Sequence, residues 1–322
     1  MLITIVYSCA KDEPETVDAK AAICASDRYL KPIFDGSEVV TLQYGSNINT
    51  SGLQQNLMMD VYLPKGDTLS KRPTIVLAFG GSFITGDRKQ LSELAKELAR
   101  LGFVSVCIDY RLLSFAQWPI DSIKGLDIAI KAAGDMKAAV RHLRRDAATT
   151  NTFRIDPDMI ILGGVSAGAI TAIQAAYFDA SDNTEPHIKS AIEINGGVEG
   201  SSGDAQNLTY SSKVQGVINM SGAIYRPAFI DTGEPPIVSI HGDKDDVVPY
   251  KYDFVRPLGI PIIPLYGSFE IQKHTQLIGL SSQLITVKDG GHDNIYTDAK
   301  FAVDFEKFKV TAYQFYKDII CK

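Results

Sequence analysis

Eight short apolar runs, at 38–44, 57–63, 73–79, 103–109, 159–164, 214–220, 236–241 and 283–288, recur along the chain. The first two follow one another directly, whereas later ones are separated by helix-like stretches, among them 88–101, 120–146, 167–178 and 298–318. Continuous apolar runs of this length suit strands covered on both faces, and helices between them are the crossovers that parallel strands require. This alternation predicts an α/β protein with a mostly parallel eight-stranded sheet, an antiparallel start and helices on both faces. It continues almost throughout the 322 residues without an internal repeat, so residues 24–322 are expected to form a single domain.

The fifth run leads into "GGVSAG", where Ser166 stands between Gly164 and Gly168 and the alanine-rich "AITAIQAAYF" follows. That places a hydroxyl at a strand-to-helix joint. A turn so sharp leaves no room for side chains at 164 and 168. The N–H groups and dipole of the new helix favour negative charge developing beside the serine. These are the conditions of a nucleophile, although a G-x-S-x-G segment also arises as an ordinary tight turn.

A serine attacks an acyl carbon only if a base takes its proton and a third group orients that base. Of five histidines, His292 lies in "VKDGGHDNIY", on a glycine loop just after a strand-like run. His142 and His274 read as helical, His187 follows Pro186 in a polar loop, and His241 ends a strand and suits support of the next loop. That loop, "HGDKDDVVP", offers Asp243, Asp245 and Asp246. Any of the three could meet His292 if the two strands are parallel neighbours, and the chain order Ser, Asp, His fits a hydrolase triad.

Upstream, "RPTIVLAFGGSFITGD" runs from an apolar strand into Gly80-Gly81-Ser82. With "DYRL" at 109–112, "GVSAG", and "HGDKDDVVP" followed by "GGHD", the chain resembles the α/β-hydrolase superfamily over about residues 38–317. Within it, the chain is similar to bacterial carboxylesterases and feruloyl-esterase-like proteins, and is related to the hormone-sensitive-lipase-like esterases. The resemblance implies the α/β-hydrolase fold, with Ser166 as nucleophile, His292 as general base and Asp245 as acid. It makes the N–H groups of Gly81, Ser82 and Ala167 the oxyanion donors. The sequence departs from that pattern at Phe79, where the family's loop carries histidine, and at Ser82, where it carries a third glycine. The implied substrates are small or polymeric esters: short acyl or aryl esters first, then feruloyl or acetyl esters and polyesters. Neither a cofactor nor a metal is implied. A serine peptidase of the same fold and a non-catalytic binding member are the alternatives. The polar segment 195–213 reads as a surface loop or flap, and the proline- and aromatic-rich 251–274 as a wall of the acyl pocket.

With a net charge of −6 and scattered basic residues, nothing marks a nucleic-acid-binding face. No run reaches the roughly 18 apolar residues that a membrane span needs. The start, "MLITIVYSCAKDEPE", resembles a shortened bacterial lipoprotein signal with Cys9 as the lipidated residue, so residues 1–23 are expected to be signal and linker. An exported, lipid-anchored protein follows from that reading, and a cytoplasmic one from its failure. Cys107 lies inside a strand and suits the core. Cys24 and Cys321 stand near the two ends of the domain, where a bridge is compatible with the closeness of termini in compact domains.

Overall fold

Arg72–Ala78 is buried at every position, as a strand must be when both faces of its sheet are covered. The computed structural model describes residues 17–117 and 119–322. The main sheet contains β1 (Ser37–Ile48), β2 (Gln54–Pro64), β3 (Arg72–Ala78), β4 (Val104–Ile108), β5 (Ile155–Val165), β6 (Gly216–Met220), β8 (Ile237–Gly242) and β11 (Ser282–Val287), in the order β1-β2-β4-β3-β5-β6-β8-β11. β2 pairs antiparallel with β1 and with β4, and every pair from β4 to β11 is parallel. The eight apolar runs are therefore the eight strands of the sheet.

Alternation along these strands divides the core into two layers. Val76 and Ala78 of β3 and Ile160 and Leu162 of β5 face one layer, with Ala132, Met136 and Val140 of α3 (Ser122–Ala148) and Ala172 of α4 (Ala167–Tyr177). Ile75, Leu77 and Ile161 face the other, with Leu98 and Ala99 of α2 (Ser92–Leu101) and Phe308, Ala312 and Tyr316 of α8 (Ala302–Ile320). The helix-like stretch at 88–101 divides into a 3-10 turn, Arg88–Leu91, and α2, which stops at Gly102 with φ 104°. Only glycine takes that left-handed cap without strain.

Three regions hold more regular structure than the sequence pattern predicts. His187 lies not in a loop but in α5 (Pro186–Ile194), where Pro186 occupies the first turn, the position at which its missing N–H costs nothing. Segment 251–274 contains β9 (Tyr252–Phe254) and β10 (Pro264–Gly267), which join β7 (Ala223–Ile224) in a small antiparallel sheet, and then enters α6 (Ser268–Leu277). The expected linker is helical from Val17 to Ala25, α1, through its alanine-rich "AKAAICA". The short α7 (Asn294–Thr297) completes the helices. Segment 195–213 is irregular apart from one 3-10 turn, Ala205–Thr209, and is pinned to β1 and α3. The Asn47 amide donates to Ser201 and Ser202, Arg141 pairs with Glu199, and Arg145 pairs with Asp204. The lipoprotein-type start with Cys9, and Trp118, lie outside the described residues.

Cys24 in α1 is bonded to Cys321 just beyond α8, with Cα atoms 5.8 Å apart, while Cys107 is a buried free thiol. The bridge closes a loop of 297 residues and so restricts the unfolded chain, by about 2–4 kcal/mol for a typical disulfide. Mild reduction should therefore lower the melting temperature by several degrees while leaving the sheet intact. Alkylation of the unmodified chain, denatured without reductant, should label two thiols, rising to four after reduction. Four labelled thiols without reductant would contradict the bridge.

Candidate active site

β5 runs into α4 through Ser166, whose φ of 55° and ψ of −121° place a non-glycine residue in sparsely populated backbone space. Such a conformation costs of order 1–3 kcal/mol and persists only where the surroundings enforce it. Two glycines make the enforcement possible. A Cβ on Gly168 would overlap the carbonyls of Ala78 and Phe79 at the end of β3, and one on Gly164 would overlap the backbone of Gly168 and Ala169. The Ser166 N–H donates to Met220 O at 2.8 Å, and its carbonyl accepts from Ile170 N at 2.9 Å. The hydroxyl therefore stands at the C-terminal edge of the sheet, where open α/β folds bind ligands.

β8 and β11 are parallel neighbours in register from Ile237–Ser282 to Gly242–Val287, so the loops after them leave the sheet side by side. They are joined: Asp243 N donates to Val287 O, Lys244 N to Gly290 O, and Asp289 N to the Asp243 carboxylate. This brings His292 between Asp245 and Ser166. Its Nδ1 lies 2.7 Å from Asp245 Oδ2, and its Nε2 lies 2.8 Å from Ser166 Oγ. Nδ1 faces a carboxylate and so carries the proton, which leaves Nε2 to accept from the serine. The neighbouring acids are placed otherwise, because Asp243 ties the two loops together and Asp246 is exposed. His142 lies in α3, His187 in α5, and His274 in α6 bonded to Ile230 O.

The Asp245 side chain is fully enclosed. One oxygen accepts from the N–H groups of Val247 and Val248, each at 2.9 Å, and the other from His292 and from His241 Nε2 at 3.1 Å. Burial is the largest single influence and raises the carboxyl pKa, but the hydrogen bonds and charges of His241 and His292 together outweigh it and hold Asp245 down at about 2. Burial pushes His292 downward, and the hydrogen bond and charge of Asp245, with Asp293 and Asp246 beyond, raise it above its ordinary value. His241 is held from behind. Its Nδ1 lies 2.7 Å from Ser268 Oγ, which also accepts from the Asn219 amide at 2.9 Å. Nε2 of His241 faces Val248 O as well as Asp245, so Nε2 bears the proton and Nδ1 accepts from Ser268. Sequence reading gives His241 a supporting part but provides no signal for Ser268 or Asn219, which join this group only across the small sheet and β6.

The loop after β3 passes over the serine with Gly81, Ser82 and Phe83 all at positive φ (123°, 56° and 61°). Among the described residues the N–H groups of Gly81 and Ser82 donate to no backbone carbonyl. Ala167 opens α4, so its N–H has no intrahelical acceptor. Phe79, in place of the expected histidine, stacks on Tyr110 with ring centroids 4.4 Å apart, and the Tyr110 hydroxyl donates to Phe79 O at 2.7 Å. The loop is thus propped by an aromatic pair. "DYRL" supplies that prop and fixes it, because Asp109 binds Arg88 and Arg111 pairs with the fully buried Asp135. Next to Ser166, Ser82 and Ala167 opens a cavity of about 130 Å³ with a mostly apolar lining. Segment 251–274 contributes Val255, Pro257 and Ile262 to its wall. Among the described residues no group of three or more His, Cys, Asp or Glu side chains is arranged to hold a metal ion.

The architecture has solved counterparts. Thermogutta terrifontis esterase 2, phosphorylated by paraoxon, superposes with a TM-score of 0.59 at 20% identity, covering 89% of this chain and 95% of that one. The propionate-bound form of the same esterase gives 0.59 at 19% identity, over 89% and 96%. At these identities the likeness establishes the α/β-hydrolase fold. Among curated proteins, esterase LipQ of Mycobacterium tuberculosis is 23% identical over 199 residues, 56% of this chain and 43% of its own length. A probable isoprenylcysteine alpha-carbonyl methylesterase of Oryza sativa subsp. japonica is 30% identical over 235 residues, 62% of this chain and 50% of its own. The chain thus spans about half the length of the curated relatives it matches. The BD-FAE family profile matches residues 59–225, from β2 through the loop after β3 and the Ser166 joint to the small sheet. Because that match spans more than half of the chain, the protein belongs to the BD-FAE family.

Proposed function

We propose that the protein is a serine carboxylesterase, with Ser166 as nucleophile, His292 as general base and Asp245 as the acid that orients it. The observation that carries this reading is the unbroken line from Ser166 Oγ through the His292 ring to Asp245, with contacts of 2.8 and 2.7 Å. In the first half-reaction the hydroxyl proton moves to Nε2 as Oγ bonds to the ester carbon. The oxyanion is received by the N–H groups of Gly81, Ser82 and Ala167. Collapse breaks the bond to the alcohol oxygen, which leaves with the proton from Nε2. In the second half-reaction water gives a proton to Nε2 and its oxygen attacks the acyl carbon. Oγ then leaves, recovering the proton, and the acid is released. Membership of an esterase-type family and the esterase relatives support this reading over a peptidase or a non-catalytic protein.

On a chromogenic ester Ser166→Ala should lower kcat by about 10⁶-fold and Asp245→Asn by about 10⁴-fold, as loss of the nucleophile and of the orienting acid does in related triads, with circular dichroism unchanged. Asp243→Asn and Asp246→Asn should cost far less, and a serine-directed phosphonate should inactivate the wild type. Turnover at the wild-type rate in Ser166→Ala would overturn the assignment.

The base must be neutral to accept the Ser166 proton, and its pKa is raised. Activity should therefore fall as the pH drops through a value above about 6.5, the ordinary histidine pKa. His241 is a positioning residue, acting through Asp245. Its replacement by alanine removes one donor from the carboxylate, makes Asp245 more basic and strengthens its hold on the imidazolium. The acid limb of kcat/KM in His241→Ala should move to higher pH, and an unmoved limb would reduce His241 to a structural part.

We also propose that the protein is exported and anchored by lipid on Cys9. The Cys24–Cys321 bridge supports an oxidising compartment, where such bonds persist. Labelled palmitate should enter the wild type in bacterial cells and not Cys9→Ser. Equal labelling, or none, would contradict the anchor.

A further inference from the structure

The cavity beside Ser166 follows one face of α4. Ser166, Ala167, Ile170, Gln174 and Phe178 all line it, at the three- and four-residue spacing that puts side chains in one row. From 166 to 178 that row is about 18 Å long at 1.5 Å per residue. The opposite wall is the facing row of α3, through Leu126, Ala129, Ala133 and Lys137, and α5 closes the side with Ile188 and Ile192, one helical turn apart. Two facing rows of helix side chains with a third helix along the side make the cavity an elongated slot with a mostly apolar lining.

The far end is sealed without leaving a charge inside. The Lys137 ammonium donates to Phe178 O at 3.3 Å and to Val198 O at 3.0 Å, and lies 3.8 Å from Glu199. These partners turn the charge away and leave the methylene stem as the end wall. On the other side, the lining residues Val255, Pro257 and Ile262 alternate with Phe254, Leu258 and Ile260, which are exposed. The cavity is thus continued by an apolar surface. An acetyl group would leave nearly all of the slot empty.

Resting on the esterase reading, we infer that the α3–α4 slot takes the acyl part of the substrate and that this part is an unbranched medium- to long-chain fatty acyl group. This differs from the short acyl groups expected from the sequence, because the length of the slot arises where three helices meet and no local motif encodes it. A rigid aromatic acyl group is short and fills only the part of the row nearest Ser166. A polymethylene chain can follow the row of Ile170, Gln174 and Phe178 to its end, burying added CH2 groups against mostly apolar walls.

The test is kcat/KM for nitrophenyl esters from acetate to octadecanoate, with benzoate and cinnamate alongside. A buried CH2 is worth up to about a fourfold gain, so octanoate should exceed acetate by about tenfold or more. The gain should then reverse once the chain outruns the end wall. Ala133→Phe, which puts a ring across the slot, should lower the octanoate-to-acetate ratio at least tenfold. Phe178→Ala, which opens the end, should move the fall-off to longer chains, and it keeps the question answerable if Ala133→Phe does not fold. A maximum at acetate or butyrate, an aromatic ester preferred over octanoate, or ratios unchanged in both folded variants would overturn the inference while leaving the esterase reading intact. Hydrolysis of no ester at all by the wild type would overturn both.

Discussion

Gly168 lies against the carbonyls of Ala78 and Phe79 so closely that no side chain fits between them. This one approach of α4 to the end of β3 determines most of the site. It fixes where α4 begins, and therefore where the Ala167 N–H points. It forces Ser166 into its positive-φ conformation above the sheet edge. It also sets the height at which the chain leaving β3 crosses the serine, so Ser166 and the loop at 80–83 are positioned by the same contact. The strain at Ser166 is sustained by two buried apolar layers that hold β3, β5 and α4 in register.

A second dependence is electrostatic. Asp245 carries a charge inside the protein, which would be strongly unfavourable without partners. Four donors from two segments surround it: two backbone N–H groups of its own loop, His241 from the end of β8 and His292 from the loop after β11. That arrangement keeps the carboxylate ionised and leaves His292 one orientation, with Nε2 toward the serine. Asn219 and Ser268 extend the chain of hydrogen bonds to β6 and the start of α6. The tautomer of the ring at Ser166 thus depends on groups in four separate elements.

The aromatic prop shows how a departure from a family's pattern is absorbed. Without a histidine at 79, the loop needs another fixed support, and the Phe79–Tyr110 stack with the tyrosine hydroxyl on Phe79 O supplies one. Both residues are fully buried in the layer that holds α3, so the support is rigid. It leaves the loop's backbone donors untouched, because they are main-chain atoms at 81 and 82.

What the sequence by itself determined was whatever is local or periodic. The eight apolar runs became the eight strands because burial on both faces demands continuous apolar residues, and the steric need for Gly164 and Gly168 could be read from their flanking of Ser166. Asp245 could be singled out from Asp243 and Asp246 only through the resemblance; in the structure the distinction comes from the fold of the loop, which aims one carboxylate inward, ties the second to Asp289 and leaves the third in solvent. Helix α5 and the small sheet were hidden, because short elements with proline and mixed polarity gain their stability from packing that periodicity does not report. The Cys24–Cys321 bridge, the Asn219–Ser268–His241 relay and the slot between α3 and α4 were decided by tertiary structure alone, because each joins residues far apart in the chain whose separation in space is set only when the layers close.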